Sequence, residues 1–349
     1  MKHTLGLILG AVLSTSAMSF ELPGLYTMDD LYQTETPIMI AHRGMGPNSG
    51  EDSTKPIENT LKSVAAAYKA GAKIVEIDAQ ITADGVVVAF HDDFLDDYTC
   101  LNSITYSELK DRIPSMTKLK KILNFARFKN RVHSLFNGPI TGLVQIEIKT
   151  PSPLCDPMDV RGLEIVEGVV DVVQRTRMNE QVTLDSFSPE LLMMAHQIAP
   201  AIKKDLAIST LQMVDEQTGQ YLLSLQTPVL PYTVIDKDVL GLKWAEVGPV
   251  YRLPSYYVDE NPLLTVQNLI QINFAVGSNM VSVDKEYLGF LETYVGVGQG
   301  LAFVQGLQSM GLMVNLYTAE NEQEWLFGQQ FGVDMITMDD IEAGVALSN

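Results

Sequence analysis

Lys73-Ile74-Val75-Glu76-Ile77-Asp78-Ala79 is the stretch on which the fold of this 349-residue chain turns. Its Ile and Val content marks a short strand buried on both faces. Glu76 and Asp78 stand at i and i+2, so their side chains leave the same face of that strand. The residues before it carry helical spacing. Leu61, Val64, Ala65 and Tyr68 fall at i, i+3, i+4 and i+7, and Gly71 stands where a C-terminal cap belongs. A helix that delivers the chain into a wholly buried strand is the repeating unit of a parallel α/β sheet.

Runs of the same kind recur at Pro37–Ala41, Leu143–Ile148, Gln181–Phe187, Asp205–Leu211, Met280–Val283, Leu312–Tyr317 and Val333–Met338, which makes eight strands in all. Helical patterns separate them, at Leu163, Val166, Val170 and Val173, over Glu190–Ile198 and over Glu322–Gln330. Eight such alternations predict a single (β/α)8 TIM barrel of the α/β class rather than a doubly wound sheet. The Asp84-Gly85 turn signal predicts that Val86–Phe90 folds back as a hairpin on the second strand. Two stretches exceed ordinary connections. Residues 92–138 form a small helical insertion after the second strand; this stretch, with its helical Lys118–Lys129 segment, is expected to cap the barrel mouth. Residues 212–264, rich in proline, form a second insertion of unread structure.

Residues 1–19 have the make-up of an export signal: basic Lys2, an apolar run from Leu5 to Leu13, then small residues up to Ala17 and Ser19. That run is shorter than the roughly 20 apolar residues a bilayer span needs. The expected product is therefore a barrel over 20–349, periplasmic or secreted, without a stable membrane anchor. Export leaves two readings open for Cys100 and Cys155, a disulfide or two separate thiols. The 46% apolar content supplies a large core and excludes a disordered chain. With 24 Lys+Arg against 43 Asp+Glu the formal charge is −19. No basic stripe marks a nucleic-acid partner.

Functional side chains of such barrels gather at the C-terminal ends of the strands. There His42-Arg43-Gly44 ends the first strand, Glu76 and Asp78 the second, His91-Asp92 the hairpin strand, and Glu147 and Lys149 the next. Glu58-Asn59-Thr60 opens the first helix. Glu76, Asp78 and Glu147 offer hard oxygen ligands, which suit Ca2+ or Mg2+ rather than zinc. Arg43 and Lys149 could neutralise charge that builds on a phosphoryl group, and two histidines could divide the base and acid roles. The chemistry that needs this set is phosphodiester cleavage. His133 and His196, in a long loop and a helical pattern, are expected to be structural.

In order and spacing these residues resemble the glycerophosphodiester phosphodiesterases. The likeness runs through Ala41-His42-Arg43-Gly44, Glu58-Asn59-Thr60, Gly71-Ala72, Val75-Glu76-Ile77-Asp78, Thr82-Ala83-Asp84-Gly85, His91-Asp92 and Glu147-Ile148-Lys149, with weaker echoes at Asp185-Ser186-Phe187-Ser188 and Gly332-Val333-Asp334. The resemblance implies a metal-dependent hydrolase that releases glycerol phosphate and an alcohol from deacylated phospholipids. It implies His42 and His91 as the acid/base pair, and Glu76, Asp78 and Glu147 as holders of one divalent metal. Arg43 and Lys149 would contact phosphate, Glu58 would support His42 and Arg43 or approach the metal, and Tyr317 would pack on the substrate in place of the family's usual Trp. Ile57 stands where the family usually has Pro, after a longer polar loop at Met45–Pro56. Two alternatives remain open at this point: a lysophospholipase D-like activity, with Trp244, Tyr256 and Tyr257 lining an acyl groove, and a non-catalytic diester-binding protein.

Overall fold

Among the described residues the strands are β1 (Ile38–Ala41), β2 (Ile74–Ile81), β3 (Val87–Ala89), β4 (Thr117–Lys118), β5 (Leu143–Ile148), β6 (Val182–Ser186), β7 (Lys203–Val214), β8 (Tyr221–Gln226), β9 (Met280–Asp284), β10 (Met313–Ala319) and β11 (Met335–Met338). β1, β2, β5, β6, β7, β9, β10 and β11 pair in parallel in that order, and β11 returns to β1. The sheet is thus a closed eight-stranded barrel, as the sequence predicts. This computed structural model describes residues 23–34, 37–48, 54–151, 155–156, 161–214, 221–226 and 272–348.

The helix Leu61–Ala70 forms where its periodicity placed it. Thr60 caps its start by accepting from the Ser63 N–H, and Gly71 ends it at φ 117°. Alternation along the strands then sorts the side chains. Val75 and Ile77 of β2, Val144 and Ile146 of β5, and Val182 and Leu184 of β6 belong to the large apolar layer shared with Val166, Val170 and Val173 of the surrounding helices. Glu76, Asp78, Gln145, Glu147, Thr183 and Asp185 occupy the alternate positions. The register sets Glu76 beside Gln145, and Asp78, Glu147 and Asp185 side by side. At the strands' N-terminal ends the short helix Met28–Tyr32 buries Met28 and Leu31 against Ile38, Ile40, Ile74, Leu143, Met280 and Met335.

β3 folds back on β2 as an antiparallel hairpin strand, as expected from Asp84-Gly85. Beyond it the chain builds a small core of its own from Val88, Leu95, Leu101, Ile104, Leu109 and Met116. A disulfide between Cys100 and Cys155, with Cα atoms 5.5 Å apart, ties that insertion to the loop after β5. One expectation is corrected here. The helix Leu119–Leu135 does not cap the mouth. It buries Leu119, Ile122, Leu123 and Ala126 in the outer apolar layer and is the barrel's own second helix. A second difference is that β7 runs on to Val214 and pairs antiparallel with β8, a hairpin inside the stretch 212–264 that the sequence left unread. Residues 1–19, and Trp244, Tyr256 and Tyr257, lie outside the described residues. Among the described residues no helix is long and apolar enough to cross a membrane.

Candidate active site

Glu76, Asp78 and Glu147 converge at the C-terminal mouth of the barrel, with one carboxylate oxygen from each lying within 4.8 Å of the others. All three are buried. Burial and the neighbouring Asp78 and Glu147 push the Glu76 carboxyl well above its usual range. Asp78 goes the other way: burial opposes its charge, but Lys149, His91 and Arg43 together hold its carboxyl well below the usual range. Lys149 is buried and its ammonium lies 2.8 Å from Asp78 Oδ1 and 2.6 Å from Glu147 Oε1. Burial opposes its charge too, yet the two carboxylates raise its pKa.

Arg43 sits in the turn after β1 with its backbone in the left-handed region, at φ 49°. Its N–H donates to Glu76 Oε2 at 2.8 Å, its Nη1 donates to Glu58 Oε1 at 3.0 Å, and its Nε lies 3.4 Å from Asp78 Oδ2. Burial opposes the guanidinium charge, but Asp78, Glu58 and Glu76 hold it protonated. Asn59 is also left-handed, at φ 55°, and locks Asp78 from both sides. Its Nδ2 donates to Asp78 Oδ2 at 2.7 Å, and its Oδ1 accepts from the Asp78 N–H at 3.1 Å. Both residues thus hold the acid cluster from left-handed backbone, a conformation also taken by Tyr98, Asn137 and Arg177 elsewhere. The turn is close-packed as well. Gly46 has φ 87°, and a Cβ there would collide with the Asp339 carbonyl.

Each histidine of the expected pair is held by a carboxylate. His42 Nδ1 is 2.5 Å from Asp339 Oδ1, and its Nε2 is 3.9 Å from Glu76 Oε2. His91 Nδ1 is 2.6 Å from Asp92 Oδ1. A carboxylate on one ring nitrogen fixes the tautomer and leaves the other nitrogen for proton transfer. Glu58 supports Arg43 and, through Oε2, accepts from the Asn48 N–H at 2.6 Å; its contacts do not include His42. The partner of His42 is Asp339, which the sequence reading passed over. The signal was there, because barrel closure sets β11 beside β1 and Asp339 directly follows β11. Asn59 was quoted in its motif without a role.

A cleft beside the acids is lined by His42, Glu76, Glu147, Phe187 and Tyr317, with Gln145, Asp185, Ser282 and Asn315 among its polar walls. Tyr317 packs edge-on against Phe187, with ring centroids 5.7 Å apart, and its hydroxyl donates to the Ile208 carbonyl at 2.6 Å. Gln145 Nε2 donates to both Asp185 Oδ2 and Asp205 Oδ2, at 3.2 and 2.9 Å. Burial, with Asp205 and Glu147 alongside, pushes the Asp185 carboxyl well above its usual range. His133 and His196 stand apart from these residues. His133 Nδ1 bonds the Pro139 carbonyl, and His196 lies on the helix Pro189–Ile198.

The fit to a divalent cation follows from this donor set. With every acid ionised, the four carboxylates Glu58, Glu76, Asp78 and Glu147 outnumber the two fixed cations Arg43 and Lys149 by two, and the raised Glu76 carboxyl marks where that negative charge lacks a partner. Glu76 Oε1 is buried and accepts no hydrogen bond among the described residues. Hard oxygen donors with that charge excess suit Ca2+ or Mg2+.

Residues 42–241 match the family model described as the glycerophosphoryl diester phosphodiesterase family. The chain is 26% identical to an uncharacterized Bacillus subtilis protein, YqiK, over 198 residues that cover 54% of this chain and 72% of that one. It is 27% identical to a glycerophosphodiester phosphodiesterase of Caldanaerobacter subterraneus over 184 residues, or 48% of this chain and 64% of that protein. Among solved structures, a glycerophosphodiester phosphodiesterase from Parabacteroides distasonis superposes with a TM-score of 0.57 at 18% identity, covering 89% of this chain and 96% of the other. An Oleispira antarctica phosphodiesterase in complex with the product sn-glycerol-3-phosphate gives 0.55 at 18% identity, with the same two coverages of 89% and 96%. At such identities the two structures testify to the fold.

Proposed function

The chain belongs to the glycerophosphoryl diester phosphodiesterase family, and from that premise we propose that it is a metal-dependent hydrolase cleaving glycerophosphodiesters to glycerol phosphate and an alcohol at the mouth of this barrel. The observation that carries the reading is the convergence of three buried acids within 4.8 Å with two histidines, each braced by a carboxylate. A divalent cation, Ca2+ or Mg2+, held by Glu76, Asp78 and Glu147 would offset negative charge on the phosphoryl oxygens. Lys149 holds Asp78 and Glu147 in place, Arg43 grips Glu76 and Asp78, and both add positive charge where the diester binds. His42, oriented by Asp339, takes the proton from the substrate's free glycerol hydroxyl as that oxygen attacks phosphorus. His91, oriented by Asp92, gives a proton to the departing alcohol as its bond to phosphorus breaks. Water then opens the resulting cyclic phosphate by the reverse proton traffic. Tyr317 and Phe187 supply an apolar edge for the glycerol carbons.

The export-signal make-up of residues 1–19 supports, in the same reading, an activity outside the cytoplasm; cell fractionation of the full-length chain tests that point. The activity itself is tested by phosphorus NMR of purified protein with glycerophosphocholine. Growth of a glycerol phosphate signal, its loss in EDTA and its return with Ca2+ or Mg2+ support the reading. Lysophosphatidylcholine turned over in preference to glycerophosphocholine would move the protein to the lysophospholipase D alternative, and tight binding of glycerophosphocholine without product would make it a diester-binding protein.

A further inference from the structure

The formal charge of −19 hides one local reversal. Between Asp111 and Glu147 the sequence has no Asp or Glu, yet it holds seven of the 24 Lys+Arg. Five of them, Lys120, Lys121, Arg127, Lys129 and Arg131, lie on the helix Leu119–Leu135. The basic stripe that the whole-chain charge conceals is one helix long. This helix buries Leu119, Ile122, Leu123 and Ala126 against the barrel. Its outward face carries Lys121, Asn124, Phe128, Arg131 and Leu135, at i, i+3, i+7, i+10 and i+14. Phe128 is 62% exposed, and Phe136, just past the helix end, is 80% exposed. Among the described residues Lys120, Lys121, Arg127 and Lys129 have no carboxylate partner. The neighbouring helix Leu61–Ala70 packs its Tyr68 against Phe125, with ring centroids 6.4 Å apart, and carries Lys62 and Lys69 but no acid. On the other flank the acids of the helix Arg161–Thr176 bound the patch.

We propose that this face docks reversibly on an anionic lipid bilayer. A basic helix with apolar side chains on the same outward face is the pattern that lies in a bilayer interface. Phe128, Leu135 and Phe136 enter the acyl boundary, while the ammonium and guanidinium groups meet headgroup phosphates. A nucleic-acid duplex would use the cations and leave those three apolar side chains in water. The start of the chain lies at the same place. Arg131 Nη1 donates to the Pro23 carbonyl at 2.7 Å, and the Tyr26 hydroxyl donates to the Gly138 carbonyl at 2.6 Å, so the chain comes in from residues 1–22 beside the end of this helix. Apolar Phe20 and Leu22 stand within three residues of that point. Acids elsewhere on the protein do not cancel the attraction, because exposed charges beyond a Debye length of about 8 Å at physiological salt are largely screened. The helix runs down the flank of the barrel, from β4 to the approach to β5, so a docked barrel lies on its side and its mouth opens along the lipid surface.

Co-sedimentation of the full-length chain with vesicles tests this, using phosphatidylcholine alone and phosphatidylcholine mixed equally with phosphatidylglycerol. The protein should bind the mixed vesicles, bind the neutral ones roughly tenfold more weakly, and leave the mixed ones as salt rises. Lys120→Gln combined with Lys121→Gln, and separately Phe128→Ser, should each weaken binding to the mixed vesicles roughly tenfold. Lys285→Gln, across the barrel after β9, should change nothing. Residues 1–19 are common to every variant, so a difference between variants belongs to the helix. The helix positions are exposed and away from the mouth, so melting temperature and hydrolysis of glycerophosphocholine should stay unaltered in those variants. Failure to bind mixed vesicles, equal binding to both kinds, or a loss in Lys285→Gln as large as in the double helix variant overturns the inference. So does tighter binding to a DNA duplex than to mixed vesicles, unmoved by Phe128→Ser, which would give the face to a nucleic acid. Vesicle binding needs no turnover, so its outcome stands apart from that of the function proposed above.

Discussion

At the lower end of the barrel Met28 and Leu31 plug the ring of strand-start residues Ile38, Ile40, Ile74, Leu143, Met280 and Met335 in an apolar cluster. At the upper end the same strands finish in Glu76, Asp78, Glu147 and Lys149, buried yet ionisable, beside two residues with left-handed backbone. The floor lowers free energy by excluding water from apolar area. The mouth holds like charges together against their repulsion, which in the proposed function serves a cation and an anionic substrate rather than the fold. Substitutions should therefore divide cleanly, with rate lost at the mouth and stability lost at the floor.

The largest expected effect is at the mouth. His42→Ala or His91→Ala should lower kcat/KM by roughly 10²–10⁴-fold, with thermal melts close to those of the unaltered protein. Full activity in both variants would remove them from the mechanism. At the floor, Leu31→Ala should cost about 2–5 kcal/mol in a urea melt, and leave KM unchanged at temperatures where the variant is folded. An altered KM would mean that the two ends are coupled. Between the two effects lies the disulfide, whose Cys100–Cys155 loop spans 55 residues. Replacing both cysteines by Ser should destabilise by about 2–4 kcal/mol in the same assay, and a loss near zero would assign the bridge no part in anchoring the insertion.

Asp205 lies between the two ends, level in register with Met280 of the floor and with Asp185. Burial pushes its carboxyl up to about 7, against the hydrogen bonds from Ser282 and Gln145. A raised folded-state pKa means that the fold holds a proton which the unfolded chain releases near pH 4. Stability from this group is thus complete below that pH, falls as the pH rises to about 7, and is flat above. Asp205→Asn should flatten the slope in urea melts run from pH 4 to 8; an unchanged slope would assign it to other groups. The smallest effect belongs to neither end. Arg175→Ala breaks the exposed helix-surface pair with Asp171 and should shift stability by under about 0.5 kcal/mol. A larger shift would show that exposed pairs add to a stability here ascribed to the floor.

The barrel was legible because each strand announces itself locally. A short β-branched run between helical patterns needs no knowledge of its neighbours, and Glu76 with Asp78 or Glu147 with Lys149 declares a shared face by spacing alone. Pairings between distant segments were not legible. Asp339 meets His42 only because the last strand closes onto the first, and Asn59 reaches Asp78 only after the Arg43 turn brings the helix start against β2. The helix Leu119–Leu135 was misplaced for a related reason. Its apolar stripe shows that one face is buried, but not whether it packs on the outer layer or over the mouth. The β7–β8 hairpin was hidden because its second strand ends just before the prolines of 228 and 231.

The claim at the centre is that the mouth's excess of two negative charges exists to hold one divalent cation. Titrating EDTA-stripped protein with Ca2+, and separately with Mg2+, in a calorimeter tests it most directly, with glycerol phosphate release followed on the same samples. One site per chain, abolished by Glu147→Gln and filled in parallel with recovery of activity, is the expected result. Full turnover in EDTA, or binding that survives Glu147→Gln, would contradict it.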